Sequence, residues 1–185
     1  MSSNSPTKLS LCFILFIFTC MQSETAQLQE AKIMAVYLQD RTRGPNTTVV
    51  PIAGIHGKAW TYFSFGTVYC ADDPITEGLE ESSAQIGRAQ GIFVISSLDG
   101  SIAQVLLSLV GTNEEYSGST IEIQGPSRQL EKAREVAVVG GTGKFRYARG
   151  YVTFETVVLD LANSYSVVRC NITLEQDLYD VYRPE

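Results

Sequence analysis

The 185-residue sequence contains 14 basic side chains, 20 acidic side chains and one histidine, and its formal net charge is −6. This charge argues against a basic surface for nucleic acid or for an anionic membrane. His56 alone leaves too little material for a histidine-based metal site or a Ser-His-Asp triad. The glycine-rich residues 140–143 fit neither common phosphate-binding spacing, so no metal, haem or nucleotide cofactor is indicated.

The N-terminal residues 1–26 have the layout of a secretory signal peptide. Lys8 precedes an apolar run over residues 9–21, and a polar stretch follows that run. The run is shorter than the roughly 20 residues that a membrane-spanning helix needs. We therefore expect cleavage near Ala26, secretion to the extracellular space, and a single soluble domain over residues 27–185.

Alternation of apolar and polar residues with a period of two dominates the rest of the chain. It predicts strands at about residues 32–39, 59–69, 90–97, 102–110, 119–124, 135–140, 145–158 and 164–174. Eight strands joined by short connections favour an all-β fold, an eight-stranded antiparallel β-barrel with a central ligand cavity. A two-sheet sandwich is the alternative that the same pattern allows.

Turn residues support this arrangement of neighbouring strands. Asp99 and Gly100 lie between two predicted strands, and residues 140–143 lie between two others, where we expect hairpin turns. Glycines inside or at the ends of strands indicate bulges or bends that curl the sheet; they are Gly91, Gly111, Gly125 and Gly150. The longer loops, residues 40–58 and 71–88, are expected to form the rim of the cavity.

Two cysteines, Cys70 and Cys170, remain after removal of the signal peptide. They could pair in an oxidising compartment, but a domain of this size does not need a disulfide. Two buried thiols are the competing interpretation.

Two Asn-x-Thr triplets begin at Asn46 and Asn171. In a secreted protein they predict N-glycosylation at the surface. The alternation around Asn171 places it on the wetter face of the last strand and Cys170 on the drier face.

Charged residues cluster at the predicted strand ends. Asp40 ends the first strand, Asp72 and Asp73 end the second, and Arg134 opens the sixth. Two neighbouring carboxyls at a cavity mouth disfavour each other's ionisation, so one could keep its proton near neutral pH and act as an acid. The competing interpretation is that Asp72 and Asp73 form a solvated turn.

Five stretches of the sequence resemble the dirigent protein family of plants, and they occur in order along nearly all of the mature chain. They are DDPITEG (72–78), IGRAQGIFV (86–94), GSTIEIQG (118–125), REVAVVGGTGKFRYARGY (134–151) and TFETV (153–157). The resemblance implies a secreted, glycosylated, usually trimeric barrel in the apoplast. It also implies that no redox centre or other cofactor is carried.

Dirigent proteins give stereoselectivity to the coupling of phenoxy radicals, for example from coniferyl alcohol in lignan formation. The radicals come from an external one-electron oxidase of the laccase or peroxidase type. A related branch, the pterocarpan synthases, dehydrates and cyclises isoflavanols through a quinone methide. The resemblance thus implies a phenolic small molecule as ligand under either activity.

By the family's motifs, the cavity residues would be Asp40, Asp72, Phe93, Ile95 and Arg134. Asp40 or Asp72 would hydrogen-bond a phenol or protonate a leaving hydroxyl, and Arg134 would hold a phenolate. Asp73 would help to set the proton affinity of its neighbour. We therefore expect Asp72→Asn to abolish product formation if the protein is an enzyme.

The sequence departs from the lignan-forming pattern at several pocket positions. Phe93 and Ile95 replace tyrosines, Ser127 replaces an aspartate, and Gln39 replaces the histidine before Asp40. Loss of these polar groups weakens the prediction of monolignol coupling, and the form DDPITEG (72–78) resembles the pterocarpan-synthase branch, although radical coupling stays favoured by a small margin. A phenolic-binding wall protein without turnover is the third hypothesis. Apolar residues on both faces of 105–110 favour a homotrimer with a buried outer face.

Overall fold

The computed structural model describes residues 32–175, and the strands alternate in burial along most of this range. The nine strands are β1 (Lys32–Arg41), β2 (Val49–Ala53), β3 (Val68–Thr76), β4 (Gln85–Ile95), β5 (Ile102–Gly111), β6 (Thr120–Arg128), β7 (Arg134–Thr142), β8 (Gly150–Asp160) and β9 (Tyr165–Leu174). The predicted signal peptide lies outside the described residues. None of the described residues forms a helix long and apolar enough to cross a membrane.

All neighbouring strands are antiparallel, in the order β1-β9-β8-β7-β6-β5-β4-β3-β2. The sheet closes because β1 also pairs with β3, where Tyr37 lies opposite Thr76 and Leu38 opposite Ile75. Strand β2 pairs with the remaining part of the same edge of β3, beginning with Val49 opposite Ala71. Closure confirms the eight-stranded antiparallel barrel and excludes the two-sheet sandwich, and β2 is an additional short strand that the pattern did not predict.

The second predicted strand is displaced along the chain. Residues 59–67 form a loop, and β3 instead runs through the acidic pair as far as Thr76. Its buried side is Tyr69, Ala71, Asp73 and Ile75, so an acid takes a position that the alternation would assign to an apolar residue. Asp72 and Asp73 therefore belong to a strand, and the predicted turn at this position is wrong.

The connections between strands agree with the predictions only in part. Asp99 accepts a hydrogen bond from the Ser101 backbone amide (3.0 Å), which stabilises the tight turn between β4 and β5. Gly140 and Gly141, however, extend β7, and the chain turns later through a short 3-10 segment, Gly143–Phe145.

The barrel interior is divided along its length. Apolar side chains from β1 and β3–β9 fill one end, and among them Val152 and Cys170 are completely buried. A smaller cluster joins Val49, Tyr69 and Ile95 where the 54–67 loop packs on the barrel. The end of the barrel that the larger cluster does not fill is open.

The two cysteines do not form a disulfide. Cys170 faces the apolar interior from β9, whereas Cys70 is exposed on the outer face of β3. Burial raises the pKa of the Cys170 thiol, which keeps it protonated and unreactive. The pairing is thus not formed, and the competing interpretation of two buried thiols holds for Cys170 alone.

Candidate functional site

The open end of the barrel contains a cavity of about 730 Å³. Its walls are apolar side chains of β4, β5, β8 and β9, such as Phe93, Val105, Phe154 and Val168. Polar groups enter it from β1, β3, β6 and β7. An apolar chamber with a few convergent polar groups is the usual form of a small-molecule site, and this volume lies within the usual range.

Asp73 projects from β3 into this cavity and is only 5% exposed. Its Oδ1 accepts a hydrogen bond from the Thr48 hydroxyl (2.5 Å). Burial, followed by the charge of Asp40, raises the pKa of Asp73 from its ordinary value of 3.8 to about 7. The carboxyl can therefore hold a proton near neutral pH and release it to a bound molecule.

Asp40 lines the same cavity from the end of β1. Its Oδ2 accepts a hydrogen bond from the Ser166 hydroxyl (3.1 Å), and its buried Oδ1 has no partner among the described residues. Burial raises the pKa of Asp40 as well. The two carboxyls thus form a pair in which the ionisation of one opposes that of the other.

Arg134 supplies a buried positive charge to the cavity from the start of β7. Its Nη2 donates to the Thr156 hydroxyl (3.0 Å), and its buried Nε has no partner among the described residues. Burial lowers its pKa, yet a guanidinium stays protonated in proteins. A ligand oxygen placed at Nε would receive a charge-assisted hydrogen bond.

Tyr62, which the sequence did not single out, also lines the cavity. It lies on the 54–67 loop and stacks on Tyr69, with ring centroids 4.5 Å apart. Phe93 also stacks on Tyr69, with ring centroids 4.8 Å apart, and lies 6.1 Å from the Tyr62 ring. The Tyr62 hydroxyl is buried without a partner among the described residues, and burial next to Asp40 raises its pKa, so it remains a donor. Alternation placed Tyr62 inside a predicted strand over residues 59–69, whereas it lies in a loop, so the pattern did not indicate that its side chain turns toward the cavity.

Asp72, predicted as the catalytic acid, is the wrong member of the acidic pair. It points to the outside of the barrel, where its carboxylate accepts hydrogen bonds from Arg88 (2.5 Å) and Gln90 (3.0 Å). Partial burial opposes ionisation, but these bonds prevail and lower the pKa of Asp72. It is an exposed ion pair, and the acid of the cavity is Asp73.

Of the remaining predicted pocket residues, Phe93 and Ser127 line the cavity. Ile95 does not, because it is fully buried beneath the 54–67 loop in the cluster with Tyr69. Asn46 lies exposed in the turn before β2, and Asn171 is partly exposed in the middle of β9. No group of three or more potential metal ligands converges among residues 32–175.

The structure is thus a closed antiparallel barrel with an apolar cavity, into which the carboxyls of Asp40 and Asp73 project, and this is the usual form of a small-molecule site. The model of the dirigent-like protein family matches residues 31–175. The chain belongs to the dirigent family.

Individual relatives include proteins named as dirigent proteins and proteins named as pterocarpan synthases. Dirigent protein 1 of Arabidopsis thaliana is 37% identical over 134 residues, which are 71% of this chain and 74% of the relative. Pterocarpan synthase 1 of Glycine max is 34% identical over 170 residues, or 89% and 91% of the two chains.

Solved structures show the same relationship. One pterocarpan synthase dirigent protein superimposes with a TM-score of 0.71 at 33% identity, over 80% of this chain and 88% of the other. A second superimposes with a TM-score of 0.72 at 32% identity, over 81% and 97% of the two chains.

Proposed function

We propose that the protein is a dehydratase and cyclase of the pterocarpan-synthase type, acting on a hydroxylated phenolic such as an isoflavanol. The observation that carries this proposal is the position of Asp73, which is 5% exposed on the inner face of β3 and lines the cavity together with Asp40. This environment raises the pKa of Asp73 to about 7. A general acid works best when its pKa lies near the working pH. A cavity that only orients radicals has no need of such an acid.

Loss of water and ring closure can be written with the residues of the cavity. Arg134 stabilises the phenolate of the substrate, and the electron pair of that oxygen moves toward the ring as the benzylic C–O bond breaks. Asp73 gives its proton to the departing hydroxyl, which leaves as water, and a quinone methide remains. A second phenolic hydroxyl then attacks the exocyclic carbon and returns its proton to Asp73, so the net change is the loss of one water.

Asp40 and Tyr62 have supporting tasks in this scheme. A negative charge on Asp40 keeps the proton affinity of Asp73 high. The unpartnered Tyr62 hydroxyl and Arg134 Nε are donors that a substrate oxygen can occupy. A bound substrate would therefore supply hydrogen-bond acceptors for these two buried donors, which have no partner among the described residues.

Asp73→Asn is expected to lower kcat for isoflavanol dehydration by about 10²–10⁴, because the amide cannot donate a carboxylic proton. Asp72→Asn is the matched control, because it changes the neighbouring residue on the outside of the barrel. The measurement is the rate of pterocarpan formation for the two purified variants and the wild type. Equal losses in both variants, or full activity in Asp73→Asn, would remove Asp73 from the mechanism.

Directed radical coupling is the second candidate, and the size of the cavity is compatible with it. About 730 Å³ is large enough for one three-ring phenolic or for two one-ring phenolics held together. Chiral chromatography of the products from coniferyl alcohol and a laccase or peroxidase decides between the two. An enantiomeric excess over the oxidant-only control supports coupling, and a racemic product together with isoflavanol turnover supports the dehydratase. Binding of phenolics without either product would indicate a wall protein without turnover.

Secretion to the apoplast, N-glycosylation at Asn46 and Asn171, and assembly into a homotrimer complete the proposal. Exposure of Asn46 in a turn supports glycosylation there. An apolar row on the outside of the barrel supports the trimer: Val50, Cys70, Ile92 and Leu106 lie directly opposite one another on β2, β3, β4 and β5. All four of these side chains are exposed in the single chain.

A further inference from the structure

Thr48, the last residue before β2, is bound to both strands that carry the cavity carboxyls. Its backbone amide donates to the Arg41 carbonyl (2.8 Å), next to Asp40 on β1, and its carbonyl accepts from the Asp72 amide on β3 (2.9 Å). Its hydroxyl oxygen accepts from the Arg41 amide (2.9 Å) and donates to Asp73 Oδ1 (2.5 Å). One residue thus connects the two walls from which Asp40 and Asp73 enter the cavity.

These contacts determine the direction of the hydroxyl proton. A hydroxyl has one proton and can accept with its lone pairs, and the Arg41 amide already uses it as an acceptor. The alternative acceptor, the Arg41 carbonyl, is 3.5 Å away and is therefore much weaker than Asp73 Oδ1 at 2.5 Å. The Thr48 hydroxyl therefore donates its hydrogen bond to Asp73 Oδ1.

We propose that Thr48 is a positioning residue that reserves Oδ1 of Asp73 as an acceptor, so that the acidic proton resides on Oδ2 and is presented to the substrate. No described residue forms a hydrogen bond with Oδ2, and the side chain of Asp73 lines the cavity. As an explanation of proton delivery this inference rests on the proposed function. The position of the proton on Asp73 does not depend on a substrate, so it can be tested in the protein alone.

The hydrogen bond from Thr48 also stabilises the carboxylate form of Asp73. It therefore lowers the pKa of Asp73 and offsets part of the increase that burial causes. Several other titratable groups act on Asp73 and must stay constant in any test. They are Asp40 on β1, Asp72 on β3 and Arg88 on β4, while Tyr62 on the 54–67 loop and Cys170 on β9 are in turn affected by the charge of Asp73. None of them is changed by a substitution at Thr48.

Thr48 is in addition the hydroxyl residue of the Asn46-Thr47-Thr48 triplet. Thr48→Val therefore removes the glycosylation signal and the hydrogen bond together, with little change in shape. Asn46→Gln removes only the signal, and Thr48→Ser keeps both. The difference between Thr48→Val and Asn46→Gln isolates the hydrogen bond.

The test is a pH titration of the Asp73 carboxyl by ¹³C NMR in the four full-length proteins, without substrate, with the signal assigned by Asp73→Asn. We expect Thr48→Val to move the midpoint upward by about one pH unit. Asn46→Gln and Thr48→Ser should keep the wild-type midpoint. Identical midpoints in Thr48→Val and Asn46→Gln would overturn the proposal.

A measurement on the wild type makes the test independent of how the valine variant folds. The Thr48 hydroxyl proton should give a slowly exchanging downfield resonance with a contact to the Arg41 amide, and its absence would overturn the inference. If isoflavanol is turned over, the basic limb of the kcat profile should move with the NMR midpoint. A protein that titrates as expected but lacks this activity would contradict the proposed function and leave the role of Thr48 intact.

Discussion

At the residue scale, two identical side chains in adjacent positions acquire opposite chemistry. Asp72 faces outward to Arg88 and has a lowered pKa, whereas Asp73 faces the cavity and has a pKa of about 7. Neither the residue type nor the local charge distinguishes them. The difference comes from the side of the sheet, because one side excludes water and the other does not.

The raised pKa of Asp73 makes stability depend on pH in a defined direction. Between its ordinary value of 3.8 and about 7, the folded protein holds a proton that the unfolded chain has released. The free energy of unfolding should therefore fall as pH rises, by about 2–3 kcal/mol between pH 5 and pH 8. Urea denaturation at both pH values measures this difference.

Asp73→Asn should remove most of this pH dependence, because the amide does not titrate. Asp72→Asn should keep it, since the lowered pKa of Asp72 places its titration below this window. A slope that persists undiminished in Asp73→Asn would assign the effect to another group, with Asp40 the first candidate because burial raises its pKa too.

At the scale of the element, glycine allows the strands to pack at spacings that other residues forbid. Gly91 in β4 has a φ of +150°, and a Cβ added there would lie 2.2 Å from the Leu106 carbonyl oxygen on β5. Gly140 in β7 has open space around the equivalent position. The same residue type is thus required in one strand and dispensable in another.

Gly91→Ala is expected to destabilise the barrel by about 2–4 kcal/mol, because both the backbone conformation and the neighbouring carbonyl oppose a side chain. Gly140→Ala, the matched control, should change stability by less than about 0.5 kcal/mol. Chemical denaturation of the two variants provides the comparison. Equal stabilities would show that β4 can shift to admit a Cβ.

Alternation predicted seven of the eight barrel strands near their observed positions, but it failed around the acidic pair. Buried residues alternate with more exposed ones along β3 only when Asp73 is counted among the buried ones, although an acid is normally assigned to the exposed face. The aromatic segment before it imitates a strand, yet it forms the loop that carries Tyr62 to the cavity. A buried acid and a cavity-lining loop are both departures from local rules, and such departures are expected at functional sites.

At the scale of the whole molecule, a single barrel leaves an apolar row exposed to water on its outer face. The row consists of Val50, Cys70, Ile92 and Leu106. Ile92 and Leu106 are directly opposite each other and are 36% and 40% exposed. In the proposed homotrimer this row would be covered by the neighbouring subunits.

Leu106→Asp is therefore expected to convert the trimer into monomers, because three buried carboxylates at one interface repel each other and lose water. Leu98→Asp is the control, since Leu98 is 86% exposed in the β4–β5 turn and lies outside the row. Sedimentation velocity at micromolar concentration measures the change. A monomeric wild type, or a Leu106→Asp protein that stays trimeric, would contradict the assembly.

Alternation along the chain predicted the all-β class and most strand positions. The resemblance to the dirigent family, which the family match confirms, implied the cavity positions of Asp40, Arg134, Phe93 and Ser127. Three-dimensional folding was needed to distinguish Asp73 from Asp72, to place Ile95 outside the cavity, to separate Cys70 from Cys170, and to bring Tyr62 and Thr48 to the site. The physical reason is that alternation separates the two faces of a strand but does not say which face the barrel encloses. Enclosure follows from the pairing of β1 with β3, in which Tyr37 lies opposite Thr76, a residue 39 positions further along the chain. Water is removed from the carboxyls, and their pKa values shift, only after that closure.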